Sequence, residues 1–394
     1  MQQPTPNSNY SDRYSYLWLL VGAGLSLFSG GRWTIPLAAW FSAIFWLRFM
    51  RTQKPLRGYV IAVVVGALVT YIALQGIMPV GPSEYLVTIA IGAPIAVLPL
   101  LADRLMAPRL GGFVSTLVYP TATTALEYLM SLTQPFGTWG STAYTQADNL
   151  ALIQIVSVTG IWGITFLLAW FASVVNWAWE REFDWKQIRV GAGIYAGIMT
   201  LVFLFGGARL ALFAPSSDTV VVAGVDSPAF ESLWKQEFEP VFLGGGDIAA
   251  LKWDAILART PNVNDDLLKL SARAARAGAK IVFWSEASAI VPQAEEAALI
   301  ERGRALARQE QIYLGMTLWT MLHRDASLLP ATKMVENKIV LIDPQGNVQW
   351  QYLKTIPVPG AEEAMTVKGD GKLPTLDTPY GRIAAAICFD MDFP

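Results

Sequence analysis

The sequence predicts an α-helical transmembrane bundle over residues 1–213, followed by a layered α/β domain over residues 218–394. Three observations carry this reading. Hydrophobic residues make up 53% of the chain and charged residues 15%, against about 25% charged in an ordinary soluble domain. Apolar runs long enough to span a bilayer crowd the first half, Gly58 to Met78 being the clearest because it holds no charge. After Ala214-Pro215-Ser216-Ser217-Asp218 the pattern changes to alternating strand-like and helix-like segments.

In the first half, Met1 to Arg13 is a polar head expected to lack order. Apolar runs follow at residues 14–31, 33–47, 58–78, 85–102, 110–126, 149–179 and 190–208, read as seven spans. The first two are joined at Gly30-Gly31-Arg32 and form two short helices or one broken hairpin. Basic residues cluster in alternate loops: Arg48, Arg51, Lys54 and Arg57, then Arg104 and Arg109, then Arg181, Lys186 and Arg189. The loops between, Pro79 to Glu84 and Ser131 to Asp148, hold no Lys or Arg. The positive-inside rule places the N-terminus in the cytoplasm and everything after Phe213 outside. Glu127 stands out as a carboxylate at the end of the fifth run, read either as interfacial or as having a structural or functional role. The loop Pro135 to Gly140 with Tyr144 is aromatic and Gly-rich, read as an interfacial belt or a lipid-facing entrance.

In the second half, strands are expected over residues 219–225, 280–284, 312–318 and 382–387, and helices over 247–258, 265–277 and 294–309. Lys338 to Ile342, the turn Asp343-Pro344-Gln345-Gly346-Asn347, and Val348 to Tyr352 read as a hairpin. Gly244-Gly245-Gly246-Asp247 reads as a flexible loop.

Three stretches end apolar runs with reactive groups. Phe283-Trp284-Ser285-Glu286 supplies a carboxylate, Tyr352-Leu353-Lys354 an amine, and Ile387-Cys388-Phe389-Asp390 the chain's one thiol. A thiol attacks acyl carbon as the thiolate, so its proton needs an acceptor. His323 is the only histidine, which makes a Ser-His arrangement or a His-based metal site a poor fit. Glu286 is then the natural base, with Lys354 and the Phe389 backbone N–H as oxyanion donors.

These stretches, with Asn337 to Gly346 leading into Lys354, resemble the nitrilase (carbon–nitrogen hydrolase) superfamily. The resemblance implies an αββα sandwich with a Glu-Lys-Cys triad: Glu286 as base, Lys354 as oxyanion stabiliser, Cys388 as nucleophile. Glu362, eight residues after the lysine, matches a further glutamate of one membrane branch, the apolipoprotein N-acyltransferases. The paired runs around Gly31-Arg32-Trp33, the Pro120 to Glu127 segment and Gly160-Ile161-Trp162-Gly163 are similar to that branch as well. Membership implies a bacterial plasma-membrane enzyme with its catalytic domain on the outer side. It implies transfer of an acyl chain from a phospholipid, through a Cys388 thioester, to the α-amino group of a lipoprotein's diacylglyceryl-cysteine. Neither cofactor nor metal is implied. The chain departs from the family in having Ser285 before the glutamate, Thr355 to Glu362 after the lysine, and Phe389-Asp390 after the cysteine. Family domains continue well beyond the nucleophile, so a sandwich incomplete at its C-terminal end is expected here. Two alternatives stay open: a membrane-anchored amidase or nitrilase-type hydrolase, and a truncated, non-catalytic lipid-binding homologue. A net charge of −2 and the absence of a basic stripe or a phosphate-binding loop of the G-x-x-x-x-G-K-[ST] type argue against nucleic acid or nucleotide partners.

Overall fold

The computed structural model describes residues 13–78, 81–213, 218–242, 248–329 and 331–393. The polar head up to residue 12, the linker at 214–217, the glycine cluster at 244–247 and the final Pro394 lie outside the described residues. The chain divides into two compact units, Met1–Met78 with Ser83–Pro215, and Pro79–Pro82 with Ser216–Pro394.

The first unit is helical. It contains α1 (Ser15–Ser26), a two-residue hairpin of β1 (Ser29–Gly30) and β2 (Trp33–Thr34), then α2 (Pro36–Thr52), α3 (Pro55–Leu74), α4 (Pro82–Leu110) and α5 (Val118–Thr133). Two single turns, α6 (Leu150–Ile153) and α7 (Val156–Thr159), precede α8 (Trp162–Trp179) and α9 (Trp185–Leu212). Among the described residues, α3, α4, α8 and α9 are long and apolar enough to cross a membrane by length and composition. The seven expected spans are thus four such helices and several shorter ones. The run at 149–179 is broken at Gly160, where φ is 62°. The first two runs form α1 and α2, of 12 and 17 residues. The hairpin between them turns at Gly31, where φ is 71° and an added Cβ would lie 2.6 Å from the Ala73 carbonyl oxygen.

The packing is that of an apolar shell around a semi-polar centre. Leu56, Val60, Val64 and Leu68 recur at i, i+4 along α3 and are exposed, as are Ile194, Ile198, Leu201 and Phe205 on α9. The unit is centred on α8, where 67% of the apolar window is buried. Its Asn176 donates to the Ile44 and Ala172 carbonyls at 2.9 and 3.0 Å, joining α8 to α2. Arg51 forks onto the fully buried Asp103 at 2.8 and 2.9 Å and reaches Glu180 at 3.2 Å, so one of the loop cations is matched internally. Glu127 is structural in its contacts. It accepts from Ser141 Oγ at 2.9 Å, Thr142 Oγ1 at 2.7 Å and Thr165 Oγ1 at 2.8 Å, pinning the aromatic loop to α5 and α8.

The second unit is α/β. β3 (Val222–Val225) leads through α10 (Pro228–Leu233), α11 (Glu239–Phe242) and α12 (Trp253–Arg276) to β4 (Ile281–Trp284). Next come β5 (Ala289–Pro292), α13 (Gln293–Glu310), β6 (Tyr313–Met321), β7 (Val335–Ile342), β8 (Val348–Leu353), α14 (Ala361–Met365), β9 (Thr375–Thr378) and β10 (Gly381–Ala384). The main sheet has the order β3-β4-β6-β7-β8, with β3, β4 and β6 parallel and β6, β7 and β8 antiparallel. The helices at 247–258 and 265–277 expected from sequence are one, α12, which continues through Pro261. Proline cannot donate to the Leu257 carbonyl four residues back, and the Thr260 hydroxyl bonds that carbonyl instead at 3.1 Å. Ile256, Val263, Leu267 and Ser271 form the buried stripe of α12 against the sheet.

The other face of the sheet carries Ile281, Tyr313, Leu341 and Trp350, which pack with Leu376 and Ile383 of the β9–β10 hairpin. The last strand is shorter than the expected 382–387 and pairs with β9, outside the main sheet. The turn at 343–347 forms as expected. The Asp343 carboxylate accepts from the backbone N–H groups of Gln345 and Asn347 at 2.9 and 2.8 Å, and Gly346 sits at φ 81°.

Candidate active site

The sheet brings four of the reactive side chains singled out in the sequence to one place. β4 and β5 lie on one line along β6, β4 pairing with residues 313–315 and β5 with 318–321. The four residues between them, Ser285 to Ser288, leave that line as a turn. Ala287 takes φ 55°, costly for a residue with a Cβ. Thr317, on β6 opposite the gap, donates to the Ser285 carbonyl. This eversion at the carboxyl end of a parallel strand carries Glu286 off the sheet, with 31% of its side chain exposed.

Lys354 follows β8. Its backbone N–H donates to the Asn337 carbonyl at 2.8 Å, and its carbonyl accepts from Gly369 at 2.9 Å. The side chain is 1% exposed. Its ammonium donates to Glu286 Oε1 at 2.9 Å and to Glu362 Oε1 and Oε2 at 2.8 and 3.0 Å. Those bonds match the ammonium's three N–H groups. Burial alone would lower the Lys354 pKa, but the Glu362 and Glu286 carboxylates outweigh it and hold it above the ordinary lysine value. Glu362 lies in the first turn of α14, also accepts from the Val358 N–H at 2.8 Å, and is raised by burial, with Lys354 pulling the other way.

Cys388 opens a short 3-10 turn, Cys388–Asp392, at φ 46°. That left-handed conformation costs a non-glycine residue about 1–3 kcal/mol and persists only where neighbours enforce it. Two neighbours do. Ile387 is buried with Ile339 and Tyr352. Asp390 accepts from the backbone N–H groups of Ile387, Thr355 and Ile356 at 3.1, 3.1 and 2.8 Å, and from the Tyr352 hydroxyl at 2.7 Å. Phe389, directly after the thiol, is buried with its ring edge-on to Phe393 at 5.3 Å.

A cavity of about 350 Å³ opens at the thiol, walled by Phe283, Thr317, Ile339 and the Ala384 to Ile387 backbone, with Glu286 at its edge. Gly315 lets the Phe283 ring lie against β6, since an added Cβ would come within 2.2 Å of it. Desolvation by the cavity and then the charge of Glu286 push the Cys388 thiol up to about 11, with Lys354 opposing. The residue is exposed on its open side, so desolvation acts from the cavity walls while the carboxylate acts at close range. The thiol is therefore held in its neutral form, next to the Glu286 side chain. With a single cysteine in the chain, this has a clean readout. The rate of alkylation by iodoacetamide is expected to climb about tenfold per pH unit from 7 to 9, without levelling below pH 10. A rate that reaches half its maximum near pH 8.5 and levels by about pH 9.5 would mean the thiol is not raised.

Two residues that hold the site were not singled out from sequence as functional. Asp390 organises the Cys388 turn, and Asn337 donates to both glutamates, at 2.8 Å to Glu286 and 3.3 Å to Glu362. Asn337 lies between the charged residues Glu336 and Lys338 in the polar first half of β7, so nothing local in the sequence marked it. Among the described residues, no group of three or more His, Cys, Asp and Glu side chains is arranged to hold a metal ion.

Comparison with known proteins agrees with this architecture. Residues 256–394 match the carbon-nitrogen hydrolase family, which defines the class of the second unit. Residues 22–174 match the apolipoprotein N-acyltransferase N-terminal domain. The apolipoprotein N-acyltransferase of Geobacter metallireducens is 24% identical over 380 residues, covering 91% of this chain and 64% of its own length. The two domain matches fall in the order found in an apolipoprotein N-acyltransferase, and the chain is similar to that family along most of its length, its second unit being of the carbon–nitrogen hydrolase superfamily. The deaminated glutathione amidase of Rattus norvegicus is 30% identical over 153 residues, covering 34% of this chain and 47% of its own. Among solved structures, an amidase from Nesterenkonia sp. aligns with a TM-score of 0.28 at 24% identity, over 34% of this chain and 52% of that one. The chain thus spans about two thirds of the length of its acyltransferase relative and about half that of the amidases.

Proposed function

We propose that the chain is a membrane N-acyltransferase that moves an acyl chain from a phospholipid to the α-amino group of a lipoprotein's N-terminal diacylglyceryl-cysteine. The observation that carries this reading is the Glu286–Lys354–Glu362 cluster beside the Cys388 thiol, in a chain whose first half matches the acyltransferase N-terminal domain. In the first step Glu286 takes the thiol proton as sulfur attacks the ester carbonyl. The tetrahedral intermediate collapses to a thioester, and the departing lysophospholipid oxygen takes the proton back from Glu286. In the second step the acceptor amine attacks the thioester, gives a proton to Glu286, and the thiolate leaves to be reprotonated.

The geometry adds a coupling to this scheme. All three Lys354 N–H groups rest on carboxylates. When Glu286 becomes neutral it is a weaker acceptor, and the ammonium is released towards the oxyanion forming at the same moment, while Glu362 keeps its two-pronged hold. Phe389's N–H would be the second oxyanion donor. In this reading the enzyme sits in a bacterial plasma membrane with its N-terminus in the cytoplasm and its catalytic unit on the outer face, an orientation that the alternating basic loops support. The exposed apolar faces of α3, α4 and α9 support a seat in a membrane. Substrates that both stay in the bilayer plane would meet a tethered site at high effective concentration.

The amidase relatives favour a second reading, release of the acyl group to water. The test is discharge of the acyl-enzyme with and without a diacylglyceryl-cysteine peptide. Acyl-peptide formed faster than free fatty acid is the expected result; fatty acid released at a rate indifferent to the peptide would establish a hydrolase.

A further inference from the structure

We propose that Asn337 is a positioning residue for the base: its side-chain amide fixes the Glu286 carboxylate and separates it from Glu362. This rests on the proposed acyl-transfer role of Glu286. Asn337 is 2% exposed, in β7. Its Nδ2 donates to Glu286 Oε1 at 2.8 Å and to Glu362 Oε1 at 3.3 Å. Its Oδ1 is buried with no partner among the described residues. The amide cannot be turned over, since Oδ1 would then face two carboxylate oxygens. The residue therefore gives up one acceptor bond to keep two donors on the glutamates. Asparagine is also poorly suited to a strand interior, and a valine there would leave no buried acceptor.

The arrangement solves a specific electrostatic problem. Two carboxylates share one ammonium, and their mutual repulsion would tend to push the less buried Glu286 out of place. Asn337 supplies donors without charge, so Glu286 Oε1 is held by Lys354 and Asn337 together while Oε2 is left for the thiol proton. The titratable groups around the Glu286 carboxylate are Lys354 after β8, Glu362 on α14 and Cys388 on the nucleophile turn. Glu336 and Lys338, the neighbours of Asn337 along β7, pair with each other, Lys338 also with Glu296. The Asn337 backbone carbonyl receives the Lys354 N–H as well, so one residue positions both partners of the thiol.

The test uses the full chain in detergent with p-nitrophenyl butyrate, an activated ester that acylates a thiol without any lipid. The burst of p-nitrophenolate is followed against pH. Asn337→Ala is expected to lower the plateau acylation rate about 100-fold, because the base is no longer aimed. Its acid limb should move up by about one pH unit, because the ionised carboxylate has lost a donor. Asn337→Asp, which adds a negative charge between the glutamates, should move the limb further up; it carries the test on its own if the alanine variant does not fold. A loss of amplitude with the limb unmoved in both variants, or no loss in either, would overturn the proposal. A wild-type burst without transfer to any lipoprotein amine would defeat the acyltransferase reading and leave this test standing. No wild-type burst would overturn both.

Discussion

Replacing Lys354 with methionine is expected to unsettle the second unit and to silence it. The substitution removes a buried cation that two carboxylates share, and breaking a buried pair from one side costs about 3–5 kcal/mol. The sign of the pH dependence follows from the partners. In the wild type the raised Lys354 pKa gives stability that is complete below the ordinary lysine pKa and fades as pH rises through the folded value. In Lys354→Met the influences left on Glu362 include burial and Glu286, both raising it, so its carboxyl climbs further and becomes neutral as pH falls. The deficit in melting temperature should therefore be largest near pH 8 and shrink towards pH 5.5. A deficit that does not depend on pH would point to lost packing alone.

Glu286→Gln is expected to move two rates in opposite directions. Acyl transfer to Cys388 should fall by about 10³-fold, the range of a lost general base. Alkylation of the same thiol at pH 8 should rise, because the carboxylate that pushes the thiol pKa up has been removed while Lys354 still draws it down. If both rates fell together, Glu286 would be a scaffold for the turn and not the base.

Much of the second unit was legible because its signals are local. The apolar run before Glu286, the amphipathic run of α13 and the Asp343 to Asn347 turn each announce an element within a few residues. What was not legible depends on distant contacts. β5 is hidden because the chain leaves the sheet at Ser285, and that eversion is held by Thr317, 32 residues away. Pro261 reads as a helix boundary, yet one neighbouring hydroxyl lets α12 pass it. In the first unit, hydropathy located the apolar runs but not where Gly160 would break the longest of them.

The candidate site divides in the same way. Glu286, Lys354 and Cys388 could be picked out because each ends an apolar run, and Glu362 by its spacing from the lysine within the family resemblance. The bidentate hold of Glu362 on the ammonium, and the way Asp390 binds Tyr352, Thr355 and Ile356, appear only once the strands are side by side. Sequence reading also assigned Lys354 to the oxyanion without seeing that its donors are already committed. In the proposed mechanism that role waits on proton transfer to Glu286, because all three donors of the ammonium rest on carboxylates.

The central claim is that Cys388 carries the acyl group. The most direct measurement is the intact mass of the purified full chain after incubation with phospholipid, beside Cys388→Ser. The account predicts an added acyl mass on the wild type, absent from the serine variant and removed by neutral hydroxylamine, as a thioester is. An acyl mass that persists in Cys388→Ser, or none on a wild-type protein that still transfers acyl groups, would contradict it.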